Sequence, residues 1–452
     1  MSQLPKGWEL ITLKEECKSV KGKKPKSLEI EQRDSLVPYV DIKAFEKGIF
    51  TKFAEANSGV LAQENDTLMV WDGARSGLVG NGVKGVIGST LAKITPNYSH
   101  RRYLHYFLKS KFDHINTKTK GTGIPHVDPA VLWSISYPLA PLNEQIRIAN
   151  KLDSILTKVD KAQARLDKIP AILKRFRQSV LAAATSGELT KEWRENSVLV
   201  DITEDYIAPE SWKMSTISEL SMLVTSGSRG WAKYYSQEGS LFVRAQNINS
   251  DKLNLEDIAY VALPEKIEGR RTNIEKDDLL ITITGANVTK AAKVHTELED
   301  AYVSQHVCLV KLREKSSANF IELFLHDKSS GRGQLAEVAY GGGKPGLNLA
   351  NIRDLKIALP PIEEQTEIVR QVDRLLNKAT KVEKQYLDAK ARLDRLTQSI
   401  LAKAFQGELV PQDPNDEPAE QLLERILKER EQAKPKKTTR KRTTKAKTVE
   451  KG

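Results

Sequence analysis

The residue types that could hold a nucleotide are present in this sequence, but their spacing does not fit a nucleotide site. The segment 80–85 matches the glycine spacing G-x-G-x-x-G, which holds a dinucleotide only between a strand and a helix. The residues after it are strand-like, so Asn81-Gly82 is better interpreted as a hairpin turn. The run 341–344 resembles a phosphate loop, but Pro345 stands where Ser or Thr is required.

Metal, thiol and methyl-transfer chemistry also lack the necessary patterns. The seven histidines form no H-x-x-x-H pair, and Cys17 and Cys308 form no zinc spacing. Two cysteines cannot form a disulfide framework, so we expect a reducing cytoplasm. The Asp/Asn-Pro-Pro-aromatic tetrapeptide of adenine methyltransferases does not occur. The sequence therefore predicts a non-catalytic chain with no cofactor and no metal site.

Basic and amide side chains in glycine-rich turns favour a nucleic-acid interface instead. Lysine and arginine engage phosphates, and arginine, asparagine and glutamine can bond purine edges with two hydrogen bonds. Any one of them alone is more often a solvated surface residue, so the clustering carries the argument. The candidate DNA-binding residues are Lys23, Lys24, Arg75, Ser76, Lys120, Arg229, Trp231, Lys233, Arg244, Gln246, Asn247, Asn287 and Lys290.

The charge distribution agrees with a polyanionic partner. The chain of 452 residues has a net charge of +12, and residues 434–452 carry nine Lys or Arg against one acid. Such a tail is expected to be disordered and to bind polyanions non-specifically, although a purely solubilising role remains open. The sequence contains no apolar run of 18 residues or more, so no membrane span is expected.

A long internal repeat is the element that must position these residues. Residues 139–189 align without a gap on 359–409 with 20 identities in 51 positions, including QSVLAAATSGEL and QSILAKAFQGEL. A shorter echo opens each half, where Pro5-Lys-Gly-Trp8 resembles Pro209-Glu-Ser-Trp212. The chain is therefore two tandem halves, each a variable block followed by a similar helical block.

The helical blocks carry a heptad seam. From Ile148 to Val180, and again from Ile368 to Ile400, apolar residues follow one another in alternating steps of four and three. This spacing predicts two coiled-coil helices, each about 60 Å long at 1.5 Å per residue. Either relative direction is sterically open, and two helices packed only on their own blocks remain the alternative. We predict an antiparallel pair, with a kink or break near Lys168–Pro170 in the first helix.

The variable blocks contain short β-branched and aromatic runs between turn residues, with short helices between them. Strands are predicted at 67–71, 85–94, 240–244, 279–284 and 303–312, and helices at 103–111 and 319–328. The predicted fold class is α+β, with two α+β domains separated by the helical pair in a pseudo-two-fold tandem repeat. The predicted domains are 1–138, 139–190 (helical), 191–207 (linker), 208–358, 359–410 (helical) and 411–452 (a C-terminal helix and a disordered basic tail).

These features resemble the specificity subunit of Type I restriction-modification enzymes. The similarity covers residues 4–432 and lies chiefly in the two helical repeats, the Pro-x-x-Trp openings and the Gly-x-Gly-x-Pro elements. Arg244 fits the Arg-x-x-Asn-Ile turn of such recognition domains, whereas the matching stretch of the first half has Pro38 in place of the arginine.

The resemblance implies two target recognition domains that bind a bipartite, asymmetric double-stranded DNA site, with the helices as a ruler. Two modification (methyltransferase) subunits and ATP-dependent restriction subunits would be the protein partners, and the chain itself would be non-catalytic. The implied partner-binding residues are Glu144, Gln145, Gln178, Ser179, Gly187, Glu188, Leu189, Glu364, Gln365, Gln398, Ser399, Gly407, Glu408 and Leu409. Three alternatives stay open: a fused enzyme, a coiled-coil adaptor without DNA, and the specificity subunit of a related two-subunit system.

Overall fold

The computed structural model describes residues 4–121, 123–194, 198–203, 206–264, 270–341 and 345–432. The chain forms two compact units. The first unit contains Met1–Arg165 and Ala389–Gly452, and the second unit contains Leu166–Asp388. The predicted basic tail at 434–452 lies outside the described residues. No helix in the described part of the chain is both long enough and apolar enough to cross a membrane.

Both predicted helical blocks are helices. The central helix consists of Leu142–Leu166 and Ile169–Thr185, with a turn at 167–168 between them, and the distal helix is the single segment Ile362–Phe405. Pro170 lies in the first turn of the segment Ile169–Thr185, where a missing backbone N–H breaks no helical hydrogen bond. The predicted interruption near Pro170 is thus confirmed.

Each helical block ends at a glycine in the left-handed conformation. Gly187 has φ 80° and Gly407 has φ 77°, a region that side chains with a Cβ rarely adopt. A Cβ on Gly187 would overlap the ring of Pro209, and one on Gly407 would overlap the ring of Pro5. In each unit the proline that opens a half therefore packs on the glycine that closes a helical block.

The strands of the first unit form two four-stranded sheets and a pair. One sheet has the order Cys17–Lys21, Leu91–Pro96, Thr67–Val70 and Val79–Asn81, all antiparallel. The other has the order Phe53–Glu55, Leu36–Val40, Gly85–Ile87 and Leu61–Ala62, with Leu36–Val40 parallel to Gly85–Ile87. Glu9–Thr12 pairs with Ser136–Leu139. The shorter helices are Leu13–Glu16, Ile42–Lys47, Arg101–Ser110, Phe112–Asn116, Pro129–Trp133 and Ala419–Gln432.

The second unit repeats the strand order of the first sheet, whereas the short fourth strand of its other sheet lies at the opposite edge. One sheet has the order Ser221–Ser226, Val307–Leu312, Leu279–Thr282 and Ala291–Lys293, and the other Tyr235–Ser236, Ala259–Val261, Ser240–Val243 and Ala301–Val303. The remaining strand pairs are Lys213–Thr216 with Lys356–Leu359, Leu199–Thr203 with Tyr206–Pro209, and Ile248–Asn249 with Lys252–Leu253. The α-helices are Ile217–Leu220, Ala318–His326, Gly331–Val338 and Leu349–Arg353; the 3-10 turns are Glu188–Thr190, Trp231–Tyr234, Ala245–Asn247, Arg270–Thr272 and Lys315–Ser317.

The local predictions hold for most elements and fail at one turn. Strands occur in every predicted run, although 85–94 and 303–312 are each divided between two strands, and both predicted short helices are present. The hairpin turn predicted at Asn81-Gly82 is wrong, because Val79–Asn81 and Gly85–Ile87 belong to different sheets. Gly82 instead donates its N–H to the carbonyl of Asp66, and a Cβ there would overlap the carbonyl of Gln63.

In each unit the start of one long helix shares a core with the end of the other, as antiparallel pairing requires. In the first unit, Ile148 and Leu152 of the central helix pack in one cluster with Leu401 of the distal helix. In the second unit, Val180 of the central helix packs with Ile368 of the distal helix. The side chains of Arg177 and Glu383 add an ion pair of 2.8 Å between the two helices.

The seam is buried unevenly along its length. Phe176 is 37% exposed, Val382 43% and Leu396 50%, whereas Ile148 and Ile368 are fully buried. A two-helix seam covers only part of each side chain, while the α+β blocks also cover the helix ends. The apolar spacing thus predicted the helices correctly but overstated mutual burial along their whole length.

Candidate nucleic-acid interface

In the first unit, the loop between Thr67–Val70 and Val79–Asn81 packs against the Gly-x-Gly-x-Pro segment. The N–H of Gly73 donates to the carbonyl of Pro125 at 2.7 Å. Ser76 is fully buried, and its hydroxyl lies 2.7 Å from the carbonyl oxygen of Gly73 and 3.1 Å from that of Pro125. Ser76 therefore braces the loop internally, although sequence reasoning proposed it as a DNA contact.

Charged residues surround this braced loop. Arg75 projects from it and pairs with Glu46 at 3.1 Å. Lys120 pairs with Asp128 at 3.0 Å, and Lys21 with Asp72 at 2.8 Å. The cations are thus partly neutralised in the free protein, and a phosphate would compete with these carboxylates. A cleft of about 660 Å³ adjoins the loop; Arg75, His126 and the exposed Ile124 are among the residues that line it.

Lys23 and Lys24 lie on a second exposed edge of the first unit, just after the strand Cys17–Lys21. Gly22, just before the two lysines, lets the chain pass close to the backbone of residues 87–88, because a Cβ there would overlap that backbone. With Phe53 and other residues, the two lysines line a cleft of about 360 Å³. The arrangement provides positive charge to an anionic ligand.

In the second unit, the segment after Ser240–Val243 forms a hydrogen-bonded loop. Asn247 is buried; its Oδ1 accepts the N–H of Arg244 at 3.0 Å, and its Nδ2 donates to the carbonyl of Asp257 at 2.9 Å. Asn287, from the loop after Leu279–Thr282, donates to the carbonyl of Ala245 at 3.1 Å. These two asparagines thus shape the loop rather than leave their amides free for a ligand.

The side chains that this loop presents are Arg244 and Gln246. Arg244 Nη2 donates to the carbonyl of Asp257 at 3.0 Å, and Gln246 Nε2 donates to its carboxylate at 3.1 Å. Lys290 lies nearby through a 3.0 Å bond to Asn287 Oδ1. The structure therefore brings together five of the predicted residues: Arg244, Gln246, Asn247, Asn287 and Lys290. Asp257 was missed by the sequence analysis, because an exposed acid carries no signal of its partner.

The segment 229–233 has mixed placement. Arg229 and Lys233 are exposed, and Lys233 Nζ lies 4.9 Å from the ring centroid of Tyr234. Trp231 is buried and contacts the rings of Phe242 and Tyr302, with centroids 5.9 and 5.5 Å away. Trp231 therefore belongs to the core below this surface.

Among the residues proposed for partner binding, two glutamates are buried and pair with the repeated tryptophans. Trp8 Nε1 donates to Glu144 Oε2 at 2.9 Å, and Trp212 Nε1 donates to Glu364 Oε2 at 3.0 Å. The similar openings of the two halves and the shared glutamates are thus explained by one contact made twice. Glu364 also pairs with buried Arg194 at 2.5 Å. Burial raises the pKa of Glu144, and the hydrogen bond from Trp8 opposes this effect.

The two glutamines next to these glutamates are buried as well. Gln145 Nε2 donates to the carbonyl of Ala140 at 2.7 Å, and its Oε1 accepts the N–H of His100 at 2.7 Å. Gln365 repeats the first bond with the carbonyl of Pro360 at 2.8 Å. Both glutamines therefore tie the start of a long helix to the chain before it.

The other repeated residues lie near the helix ends and differ in exposure. Gly187 is buried at the end of its helical block. The half-buried ones are Gln178, Leu189, Gly407 and Leu409. The exposed ones are Ser179, Glu188, Gln398, Ser399 and Glu408. Ser179 and Glu188 of the second unit are equivalent in the repeat to Ser399 and Glu408 of the first, so both units present a similar polar surface.

Two α+β blocks of similar topology, each with cationic loops and each joined to long paired helices, define a tandem recognition protein. The family model of the Type I restriction modification DNA specificity domain matches residues 5–171 and 209–389, and the chain belongs to this family. This is the family of the DNA-recognition subunit, not of the catalytic one.

Known relatives are similar along most of the chain. The EcoBI specificity subunit of the Type I restriction enzyme from Escherichia coli is 30% identical over 454 residues, covering 96% of this chain and 95% of the relative. The StySPI specificity subunit from Salmonella potsdam is 32% identical over 365 residues, covering 77% and 75%. A chain solved in a study of complex assembly in a type I R-M system has a TM-score of 0.63 at 18% identity, covering 90% of this chain and 100% of that chain. The last similarity supports the fold alone.

Proposed function

We propose that this chain is the DNA-specificity subunit of a Type I restriction-modification complex and binds a bipartite, asymmetric double-stranded DNA site. The observation that carries the proposal is the tandem itself: two α+β blocks share the strand order of one four-stranded sheet but carry different loops. Shared topology provides two readers, and different loops give them different base preferences. The site should therefore consist of two unlike parts.

The loops differ most after the parallel central strand of each block. In the first unit, Leu36–Val40 is followed by the helix Ile42–Lys47, which Asp41 caps by accepting the N–H of Ala44 at 2.9 Å. In the second unit, Ser240–Val243 is followed by the Arg244 loop and a hairpin. A helix and a hairpin present side chains at different spacings, so equivalent places in the two blocks would contact different base patterns.

For DNA contact we propose the exposed and half-buried cations and amides of each block. Lys23, Lys24, Arg75 and Lys120 would serve the first unit, and Arg229, Lys233, Arg244, Gln246 and Lys290 the second. The buried candidates Ser76, Trp231, Asn247 and the bonded Asn287 would position them. Arg244 and Gln246 carry the strongest case for base reading, because both project from one hydrogen-bonded loop.

For the protein partners we propose two methyltransferase subunits, one on each repeated helix-end surface, with restriction subunits joining them in the cytoplasm. Two equivalent surfaces, including Ser179 and Glu188 in one and Ser399 and Glu408 in the other, provide the same docking chemistry twice. The buried Glu144, Gln145, Glu364 and Gln365 would support these surfaces from below.

The proposal is tested by mapping methylated adenines in cells that express this chain with its modification partner. Two short, unlike motifs separated by a fixed unread gap are expected, with methylation lost when the chain is omitted. A palindromic motif, or methylation that does not depend on the chain, would contradict the proposal. A coiled-coil adaptor is tested in parallel: DNA affinity that persists after removal of residues 434–452 excludes it.

A further inference from the structure

A tight hairpin without glycine lies next to the Arg244 loop in the second unit. The strands Ile248–Asn249 and Lys252–Leu253 pair, and Ser250 and Asp251 between them have φ 51° and 59°. Turns that need two left-handed residues usually contain glycine, with asparagine or aspartate as the tolerated alternatives, because a Cβ is strained there. Ile248 is buried, whereas Asn249, Ser250 and Lys252 are exposed. A strained turn thus presents polar side chains to solvent, a combination that points to function.

An arginine from a distant part of the chain holds this turn. Arg332 Nη1 donates to Asp251 Oδ2 at 2.8 Å, and Nη2 donates to the other carboxylate oxygen. Arg332 lies in the first turn of the helix Gly331–Val338. A Cβ on Gly331 would overlap the ring of Phe324, so this helix begins tightly against Ala318–His326. Close packing at the glycine places the guanidinium at the hairpin.

The same arginine is joined to the central helix through Asp327. The N–H of Arg332 donates to the carbonyl of Asp327 at 3.1 Å. The carboxylate of Asp327 accepts the hydroxyl of Thr185, in the last turn of the central helix, at 2.8 Å, and that of Ser330 at 2.9 Å. A continuous set of hydrogen bonds therefore connects the end of the central helix with the hairpin, entirely inside the second unit.

The hairpin and the Arg244 loop form one surface. Asn287 Nδ2 donates both to the carbonyl of Ala245 in the loop, at 3.1 Å, and to that of Ile248 in the hairpin, at 3.2 Å. One amide thus fixes the spacing between the two elements. Asn249 has the side chain that bonds adenine with two hydrogen bonds, and Lys252 can engage a phosphate.

We propose that this hairpin reads base pairs of double-stranded DNA beside the Arg244 loop, and that Arg332 is the residue that positions it. The inference rests on the proposed function, since it concerns how one half of the site is read. The identity of residue 251 supports it: glycine would relieve the strain of the turn, but it would remove the carboxylate that Arg332 holds. Residue 251 is aspartate, whose carboxylate Arg332 binds, although glycine would be less strained at this position.

The experiment uses the full chain with its modification subunit and two DNA duplexes. One duplex carries the site mapped for the wild-type chain. In the other duplex, the half-site that the second unit reads is scrambled. Asn249→Ala removes a side chain proposed to read a base. Arg332→Gln removes the guanidinium that binds Asp251. Asp251→Gly removes the carboxylate that Arg332 binds and relieves the strain of the turn. Arg332→Lys keeps the charge without the two-pronged geometry and serves as the graded control.

Each of the three variants is expected to lower the preference for the mapped duplex about tenfold, the effect of losing one good base contact. The preference of Arg332→Lys for the mapped duplex should lie between that of these three variants and that of the wild type. The thermal unfolding temperature of each variant is measured beside that of the wild type, and binding is measured well below it, so a loss of preference cannot be ascribed to unfolding. Methylome maps should show a relaxed base requirement at positions in one half-site only.

Two outcomes separate the inference from the proposed function. A wild-type chain that prefers the mapped duplex, with Asn249→Ala and Asp251→Gly variants that prefer it equally, would overturn the role of the hairpin. An equal loss of affinity for both duplexes would also overturn it, because the contact would then lie on the DNA backbone alone. A wild-type chain with no preference between the duplexes would overturn the proposed function itself.

Discussion

Glu144 and Glu364 occupy equivalent repeat positions and accept the same tryptophan bond, but their electrostatic surroundings differ. Glu364 pairs with buried Arg194. Burial holds the pKa of Glu144 above the ordinary value of 4.5. A carboxyl whose folded pKa is raised favours the folded state below its unfolded pKa, and this contribution is lost as the pH rises through the folded pKa. The ionised form of Glu144 therefore destabilises the first unit at neutral pH.

Replacing each glutamate with glutamine should have opposite effects. Glu144→Gln keeps an acceptor oxygen for Trp8 and removes the buried charge, so the free energy of unfolding should rise at pH 8 and stay unchanged near pH 4. Glu364→Gln leaves Arg194 buried without its counter-charge and should cost about 3 kcal/mol at pH 8. Urea denaturation of both variants measures this. If the free energy of unfolding changed in the same direction for both variants at pH 8, the different electrostatic surroundings assigned to Glu144 and Glu364 would be wrong.

Arg244 is the residue for which we propose the clearest base contact. Arg244→Ala should weaken binding to the site by about 1–3 kcal/mol, because a two-bond contact to guanine would be lost. The matched control is Arg313→Ala in the same unit, since Arg313 reaches solvent and, like Arg244, bonds a backbone carbonyl, that of Glu219. Titration of the mapped duplex measures both variants. Equal affinities for Arg244→Ala and the wild type would refute the assignment.

At the scale of elements, the two glycine–proline contacts close the helical blocks. Gly187→Ala and Gly407→Ala should each lower the free energy of unfolding by at least about 1–2 kcal/mol, the cost of a side chain in the left-handed region. The overlap with Pro209 or Pro5 adds to that cost.

Gly123→Ala is the matched control, because a Cβ there would meet no atom of the described residues within 4 Å. Thermal unfolding of the three variants gives the comparison. If Gly123→Ala destabilises as much as the other two, the left-handed closures are not the cause.

Most elements could be predicted from the sequence because their signals are local. The four-three spacing predicted both long helices, and Pro170 predicted the interruption of the central one, since a helix depends on residues close in sequence. The turn at Asn81-Gly82 failed for the opposite reason. The partners of Val79–Asn81 and Gly85–Ile87 come from 36–70, and turn residues carry no information about such distant strands.

At the scale of the whole molecule, the proposed ruler role predicts how the site responds to helix length. Inserting one heptad into Leu142–Leu166 and one into Ile362–Phe405 adds about 10.5 Å to each helix, or about three base pairs at 3.4 Å each. The unread gap should lengthen while the bases read stay the same, as adenine-methylation mapping would reveal.

The control for this prediction is a variant with one heptad inserted into the distal helix alone. It mismatches the paired seams and should lower stability without producing a new, well-defined gap. An unchanged gap in the double-insertion variant would contradict the ruler role of the helices.

The basic tail should contribute affinity but not specificity. Removing residues 434–452, with a net charge of +8, should weaken binding to unrelated DNA and reduce its dependence on salt, because fewer counterions are released. The methylated motif should stay the same. Titrations at several salt concentrations measure the slope, and a tail-deleted chain with an altered motif would show that the tail takes part in reading.

The sequence by itself determined the doubled organisation, the long helices, their glycine ends and the family resemblance, because repeats and heptads are periodic along the chain. The tertiary structure alone decided which candidate side chains are free to meet a ligand. Ser76, Trp231 and Asn247 have suitable chemistry, but they are buried and contact distant residues. Arg332 carried no sequence signal, yet it holds Asp251 across 81 positions. Burial and pairing of this kind arise only when remote segments pack together, so residue type and spacing could not predict them.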